Sequence, residues 1–169
     1  EAESLAKLEA AVKAIHPEEA EEIIPFVGTL MGMKLSGEYA QRVKGIEGEG
    51  LEKLIYKNVR ELLLKGSELS PLALYIEDLH WADTSSLEFI MSLFRLVRNN
   101  RLLFILVFRP GYQETTGKML ERLNEAYSSC HTEILLQQLN DHESLKLMDN
   151  LLSMKGFPQK LKDDILSRS

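Results

Sequence analysis

The sequence predicts an α/β protein with a short, mostly parallel sheet that follows a helical region. Two continuous apolar runs, residues 72–76 and 102–108, are the main evidence. Such runs are typical of strands buried on both faces of a parallel sheet that helices cover. A helical pattern from about Thr84 to Val97 lies between them, and Asp83 is placed to cap its N-terminus. Strand, helix and strand together predict one right-handed βαβ unit.

The N-terminal part of the chain predicts three helices. Apolar side chains recur at spacings of three and four over residues 3–16, which makes one helical stripe. A second helix is expected to begin at Pro17, because proline fits a first helical turn, and to kink or end at Pro25. Six glycines between residues 28 and 50 predict loops and turns, and a third helical stripe covers residues 51–65.

The C-terminal part predicts a helix over residues 114–127, a third strand in TEILLQQL at 132–139 and a helix over 141–153. Asn140 and Glu143 have the spacing of a capping box for that last helix. A further short helix is expected after Pro158. By this pattern residues 1–68 are a helical region, residues 69–139 a βαβ core and residues 140–169 C-terminal helices.

Composition and charge exclude several classes of protein. The chain has 169 residues, a net charge of −6 and no cluster of lysine or arginine, which argues against a nucleic-acid partner. No apolar run approaches the ~20 residues that span a bilayer, so no membrane partner is expected. A single cysteine, Cys130, rules out an internal disulfide framework. A reducing, cytoplasmic location is the simple expectation.

Charged residues follow both predicted strands of the βαβ unit. Glu77 and Asp78 come directly after the first strand, and Arg109 comes after the second. Ligands of open α/β sheets collect beyond the carboxyl ends of the strands. Two carboxylates there can hold Mg²⁺, usually through water, and orient or deprotonate an attacking water, while a guanidinium can contact a phosphate. The arrangement therefore points to phosphoryl-transfer chemistry.

Each of these residues also has an ordinary structural explanation. Acids after a strand often begin a loop, and Asp83 fits a helix cap better than a ligand. His80 is a candidate nucleotide contact, but a histidine with satisfied hydrogen bonds is the simpler expectation. Trp81 is expected to pack in the core rather than to bind a ligand.

Two other functions fit the same residues. A metal-dependent hydrolase would use Glu77, Asp78, Asp83 and His80, although the other histidines are scattered along the chain. A non-enzymatic interaction module would instead present the apolar stripes of the three N-terminal helices to a partner.

Three segments carry a resemblance to a known family. The run LYIEDLHWADTSSLEFI resembles the Walker B segment of the STAND branch of AAA+-type P-loop ATPases. LLFILVFRP resembles the sensor strand that follows in that family, and TEILLQQLNDHESLKLMDNLL resembles its next strand and helix. The resemblance covers roughly residues 50–166. Such ATPase modules occur in large bacterial signalling proteins, often beside adenylate or guanylate cyclase, protein-kinase or transcription-regulator domains.

The resemblance implies a regulatory switch that binds or hydrolyses ATP with Mg²⁺. It places Glu77 at the Mg²⁺-linked position, Asp78 at the water-activating position and Arg109 at the sensor position. The family often has Asp where Glu77 stands, which is a departure from its pattern. It also implies a three-layer αβα fold of the P-loop NTPase type, with the helical N-terminal region as an insert before Walker B.

The P-loop itself is not found in these residues. Residues 28–34 and 117–119 contain glycine and lysine, but neither matches G-x-x-x-x-G-K-[ST]. By the resemblance, the P-loop is expected upstream of Glu1 and further family segments after Ser169. The chain is then an incomplete module, inactive alone, whose partners are a P-loop subdomain and downstream effector domains. An exposed strand edge is expected to be filled by another element or buried in a homodimer.

Overall fold

The computed structural model describes residues 2–152 and divides the chain after His131 into two compact units. The first unit is mostly helical with a short parallel sheet, which makes the protein mixed α/β. Its helices are α1 (Ala2–Ile15), α2 (Ala20–Leu30), α3 (Gly37–Val43), α4 (Gly48–Leu69), α5 (Thr84–Leu93) and α6 (Lys118–Ala126). Its strands are β1 (Leu72–Ile76) and β2 (Leu102–Leu106). The second unit contains α7 (Asp141–Leu152).

Helices α1, α2 and α4 bury one apolar cluster between them. Its buried members are Val12, Ala20, Ile23, Ile24 and Val27. Helix α2 begins at Ala20 rather than at Pro17, and it continues through Pro25 to Leu30, so the alternative that it ends at this proline is wrong. A proline inside a helix costs about 3 kcal/mol. Full burial of the two isoleucines contributes a similar amount at ~1.5–3 kcal/mol each, which offsets that cost.

The glycine-rich segment is more ordered than the sequence predicts. Residues 37–43 form helix α3 where loops and turns were expected, and Arg42 Nη1 lies 2.6 Å from Glu22 Oε2 of helix α2. Helix α4 begins at Gly48 and continues past residue 65 to Leu69. A Cβ added at Gly66 would lie 3.0 Å from Leu72 Cδ1, so this glycine lets α4 pack closely on β1.

The sheet confirms the predicted parallel βαβ unit. Strands β1 and β2 pair in parallel register from Leu72 opposite Leu102 to Ile76 opposite Leu106. The predicted helix between them is α5, which changes at Phe94 into a 3-10 turn that ends at Arg98. The cap is also confirmed, because the Asp83 carboxylate accepts a 2.7 Å hydrogen bond from the Ser86 amide.

Only one face of the sheet is covered within the first unit, so the prediction of strands buried on both faces is wrong. Leu72, Leu74, Ile76, Phe104 and Leu106 pack against buried clusters that include Leu79, Leu87, Leu93 and Phe94. The opposite face exposes 57% of Tyr75, 56% of Leu103 and 41% of Ile105. The continuous apolar runs arise because this second face is also apolar. We call it the open face, and it comprises Ala73, Tyr75, Leu103, Ile105 and Val107.

Residues 132–139 form no strand, so the prediction of a third strand there is wrong. No ladder of backbone hydrogen bonds forms along this segment, and its apolar side chains, such as Leu136, are exposed. The capping box predicted at the start of helix α7 is confirmed, and it is reciprocal. The Asn140 amide donates to Glu143 Oε2 and the Glu143 amide donates to Asn140 Oδ1, both at 3.0 Å.

Two predicted helices remain, one over residues 114–127 and one after Pro158. The helix expected over residues 114–127 is a π-type turn, Gln113–Gly117, followed by α6. The helix expected after Pro158 lies outside the described residues. Within residues 2–152, no helix combines the length and apolarity that crossing a bilayer requires.

Candidate functional site

The carboxyl ends of β1 and β2 meet at one edge of the sheet. The pairing continues past the strands, since the Val107 amide donates to the Ile76 carbonyl at 2.9 Å and the Leu79 amide donates to the Val107 carbonyl at 3.2 Å. Glu77 and Asp78 therefore leave the sheet at the same edge as Arg109. Arg109 is exposed, and it makes no hydrogen bond or ion pair with the described residues.

Asp78 has an unusual backbone. Its φ of 54° and ψ of 31° lie in the left-handed region, and it is the one non-glycine residue with a positive φ in the described chain. This conformation costs on the order of 1 kcal/mol, least for residues such as Asp and Asn. It turns the chain sharply after β1 into the short 3-10 turn Leu79–Trp81. The side chain of Asp78 stays 72% exposed.

The two neighbouring acids contact different partners. Glu77 Oε1 accepts a 2.5 Å hydrogen bond from the Tyr75 hydroxyl, which belongs to the open face. This hydrogen bond raises the pKa of the Tyr75 phenol. Asp78 Oδ1 instead lies 4.0 Å from Nδ1 of His80. Within the described residues, no group of three or more His, Cys, Asp or Glu side chains comes together in a way that could hold a metal ion.

His80 is buried without hydrogen bonds, so the expectation of a satisfied histidine is wrong. The residue is 4% exposed, and neither Nδ1 nor Nε2 has a hydrogen-bond partner in the described structure. Its ring packs beside two aromatic neighbours, with centroid distances of 5.2 Å to Trp81 and 5.0 Å to Tyr112. A buried polar group left without a partner costs ~1–3 kcal/mol. The residue is held here by ring packing despite that cost.

Trp81 is on the surface, so the expectation that it packs in the core is wrong. The side chain is 75% exposed, and its ring centroid lies 6.5 Å from that of Tyr112. We call His80, Trp81 and Tyr112 the aromatic cluster. Sequence reasoning missed Tyr112. The signal in the sequence was its position three residues after Arg109 and directly after a glycine, Gly111. In the structure this glycine has a φ of 95°, which permits a turn close to the strand ends.

Asp83 serves the fold rather than the site. Its hydrogen bonds with Ser86 and Ser85 lower the pKa of the carboxyl group. An N-cap carboxylate that accepts amide hydrogen bonds has fewer lone pairs left for a ligand. This hydrogen bonding distinguishes Asp83 from Asp78, whose carboxylate accepts no hydrogen bond from the described residues.

A concave region lies among the N-terminal helices. It has a volume of about 310 Å³ and is lined by Leu5, Glu9, Glu21, Ser36, Glu38 and Tyr39. Burial, together with the negative charges of Glu9 and Glu21, raises the pKa of the Tyr39 phenol to about 12. No sequence pattern indicates this acidic cleft, because its residues are spread over three helices and a loop.

Comparison with protein-family models, with curated proteins and with solved structures finds no match to this chain. The interpretation of the site therefore rests on its own residues and geometry.

Proposed function

We propose that this chain carries the acidic side of an ATP-binding switch in a bacterial, cytoplasmic, multidomain signalling protein. One observation carries the proposal. The parallel pairing of β1 with β2 brings Glu77, Asp78 and Arg109 out at a single edge, in the order expected for a Walker B strand and its neighbouring sensor strand. The left-handed backbone of Asp78 adds support, because strained residues are enriched at functional sites.

The donor set suits Mg²⁺ and a nucleotide. Magnesium takes oxygen ligands and is often held by one or two carboxylates together with waters and phosphate oxygens. When bound, it would neutralise charge on the phosphates. In the proposed arrangement Glu77 holds the ion through water, Asp78 orients the attacking water and Arg109 contacts the terminal phosphate. The expected contact of His80 with the nucleotide does not fit the structure, because the side chain of His80 has no exposed surface. The amides of a P-loop are not supplied by these 169 residues.

The proposed complete module has the three-layer αβα arrangement of a P-loop NTPase. Helices of that module would cover the open face, which is the usual state of a parallel sheet. Downstream effector domains, for example a cyclase or a transcription regulator, would respond to the bound nucleotide.

The test is calorimetric titration with Mg-ATP of this chain and of the complete gene product that contains it. We expect the complete product to bind at least about 100-fold more tightly, a difference of roughly 2.8 kcal/mol. Asp78→Asn and Arg109→Ala in the complete product are expected to weaken binding or to abolish hydrolysis. Glu88→Gln, which removes an exposed carboxylate from helix α5, is the matched control. If the complete product binds no ATP, the proposal is wrong.

A non-enzymatic interaction module is the second candidate, and the open face favours it. Tyr75, Leu103 and Ile105 expose apolar surface on a sheet that is two strands wide in the first unit, with backbone edges that invite pairing. Self-association that buries the open face would produce a homodimer. Sedimentation of wild type and of Leu103→Lys tests for such a dimer, because a dimer built on this sheet is expected to dissociate in the variant.

A further inference from the structure

The aromatic cluster and Asp78 form a surface whose chemistry matches a planar cation. Trp81 is 75% exposed, so the indole surface that does not contact His80 or Tyr112 is open to solvent. The Asp78 carboxylate is 72% exposed and pairs with no lysine or arginine of the described residues. Both groups border His80, the carboxylate at 4.0 Å from Nδ1 and the indole at 5.2 Å between ring centroids.

We infer that Trp81, Tyr112 and Asp78 form a docking site for an arginine side chain of a partner protein. A guanidinium stacks on an indole face and donates hydrogen bonds to a carboxylate in the same plane, a combination that lysine cannot reproduce. Charge complementarity supports this partner, because two exposed acids, Glu77 and Asp78, outnumber the one arginine at this sheet edge, Arg109, and the chain carries a net charge of −6. The inference goes beyond the proposed ATP switch and requires no nucleotide.

His80 packs against both rings of this surface. The imidazole is buried beside the two other rings, at 5.0 Å from Tyr112 and 5.2 Å from Trp81. Trp81 follows β1 and Tyr112 follows β2, so the ring packing also ties the two strand-end loops together. A preorganised aromatic surface loses less side-chain entropy when a ligand binds.

A membrane surface is the less favoured partner. Exposed tryptophan is common at membrane interfaces, but the cationic residues that accompany it there are absent from the immediate sequence of Trp81. Its neighbours Glu77, Asp78 and Asp83 would be repelled by anionic lipid.

Tryptophan fluorescence provides a direct test, because Trp81 is the only tryptophan in the chain. The probe is N-acetyl-arginine amide, and N-acetyl-citrulline amide is its uncharged isostere. We expect the arginine probe to change the emission of Trp81 in a saturable way, with an affinity about tenfold or more above that of the citrulline probe. Added salt is expected to reduce this preference, because the carboxylate is exposed.

Variants test which side chains produce the preference for the arginine probe. Asp78→Asn is expected to remove most of the preference for arginine over citrulline, and asparagine tolerates the left-handed backbone at this position. Tyr112→Leu, which keeps an apolar side chain, is expected to weaken the arginine probe by about threefold. Glu88→Gln changes the same charge on helix α5 and is expected to leave both affinities unchanged. Circular dichroism establishes that each variant is folded.

Several outcomes would overturn the inference. Equal affinity for arginine and citrulline, or an unchanged preference in both Asp78→Asn and Tyr112→Leu, would contradict it. So would an emission change that appears with phosphatidylglycerol vesicles and not with the arginine probe. Because the assay contains neither Mg²⁺ nor nucleotide, its result is independent of whether the ATP switch proves correct.

Discussion

Replacement of His80 by phenylalanine is predicted to stabilise the protein, although the site is buried. The imidazole is 4% exposed and leaves two nitrogens without hydrogen-bond partners. Removing such unsatisfied polar groups recovers ~1–3 kcal/mol, and fitting a slightly larger ring into the same space costs ~1 kcal/mol or more. The net expectation for His80→Phe is a free energy of unfolding higher by about 1 kcal/mol. This corresponds to a rise in Tm of roughly 2–4 °C for a chain of this size.

The assay is urea unfolding monitored by circular dichroism, with thermal unfolding as a second measure. His80→Ala is the comparison variant and is expected to lower the free energy of unfolding by about 2 kcal/mol, because it leaves a cavity between Trp81 and Tyr112. Leu79→Ala, at a neighbouring 2% exposed position, calibrates the loss expected from an ordinary core residue. A His80→Phe variant less stable than wild type by ~1 kcal/mol or more would refute the expectation that removing the unpaired nitrogens outweighs the cost of the larger ring.

Three further predictions concern titrating groups. Asp83→Ala is expected to lower Tm at neutral pH and to have little effect near pH 2, because the cap lowers the pKa of this carboxyl in the folded state and its stabilisation is lost as the pH falls through that value. Glu77→Gln is expected to lower the pKa of Tyr75 toward its ordinary value, measured as the difference between spectrophotometric titrations with and without Tyr75→Phe. Wild type is expected to lose stability as the pH rises from 10 to about 12, because the folded state keeps the Tyr39 proton that the unfolded chain releases, and Tyr39→Phe is expected to reduce this loss.

Local patterns in the sequence were sufficient for the elements next to the site. Continuous apolar runs located β1 and β2, and short-range capping signals located the start of α5 at Asp83 and of α7 at Asn140. These features depend on residues within one turn or one strand, so the information is local. The acids and Arg109 were found for the same reason, since strand ends follow directly from strand positions.

The features that depend on tertiary packing were not predictable. The exposed residues of the open face are apolar, so the two runs look like strands covered on both faces, and the open face was missed. His80 and Trp81 are adjacent, yet one is buried and the other is exposed, because the 3-10 turn after Asp78 directs them differently. Tyr112 joins them across the sheet edge from another loop. The apolar segment 132–139 has strand propensity but no strand beside it in the described structure.

Because Asp78 has a left-handed backbone, the order of the two acids affects the stability of this turn. Position 77 accepts either acid, whereas position 78 favours a short polar side chain that tolerates a φ of 54°. An exchanged pair, with aspartate first and glutamate second, would keep the charge and the number of carboxylates. It would nevertheless place a longer side chain in the left-handed region, at a cost of about 1–2 kcal/mol. A search for related proteins should therefore allow either acid at the first position, and at the second it should weight Asp, Asn and Gly over Glu.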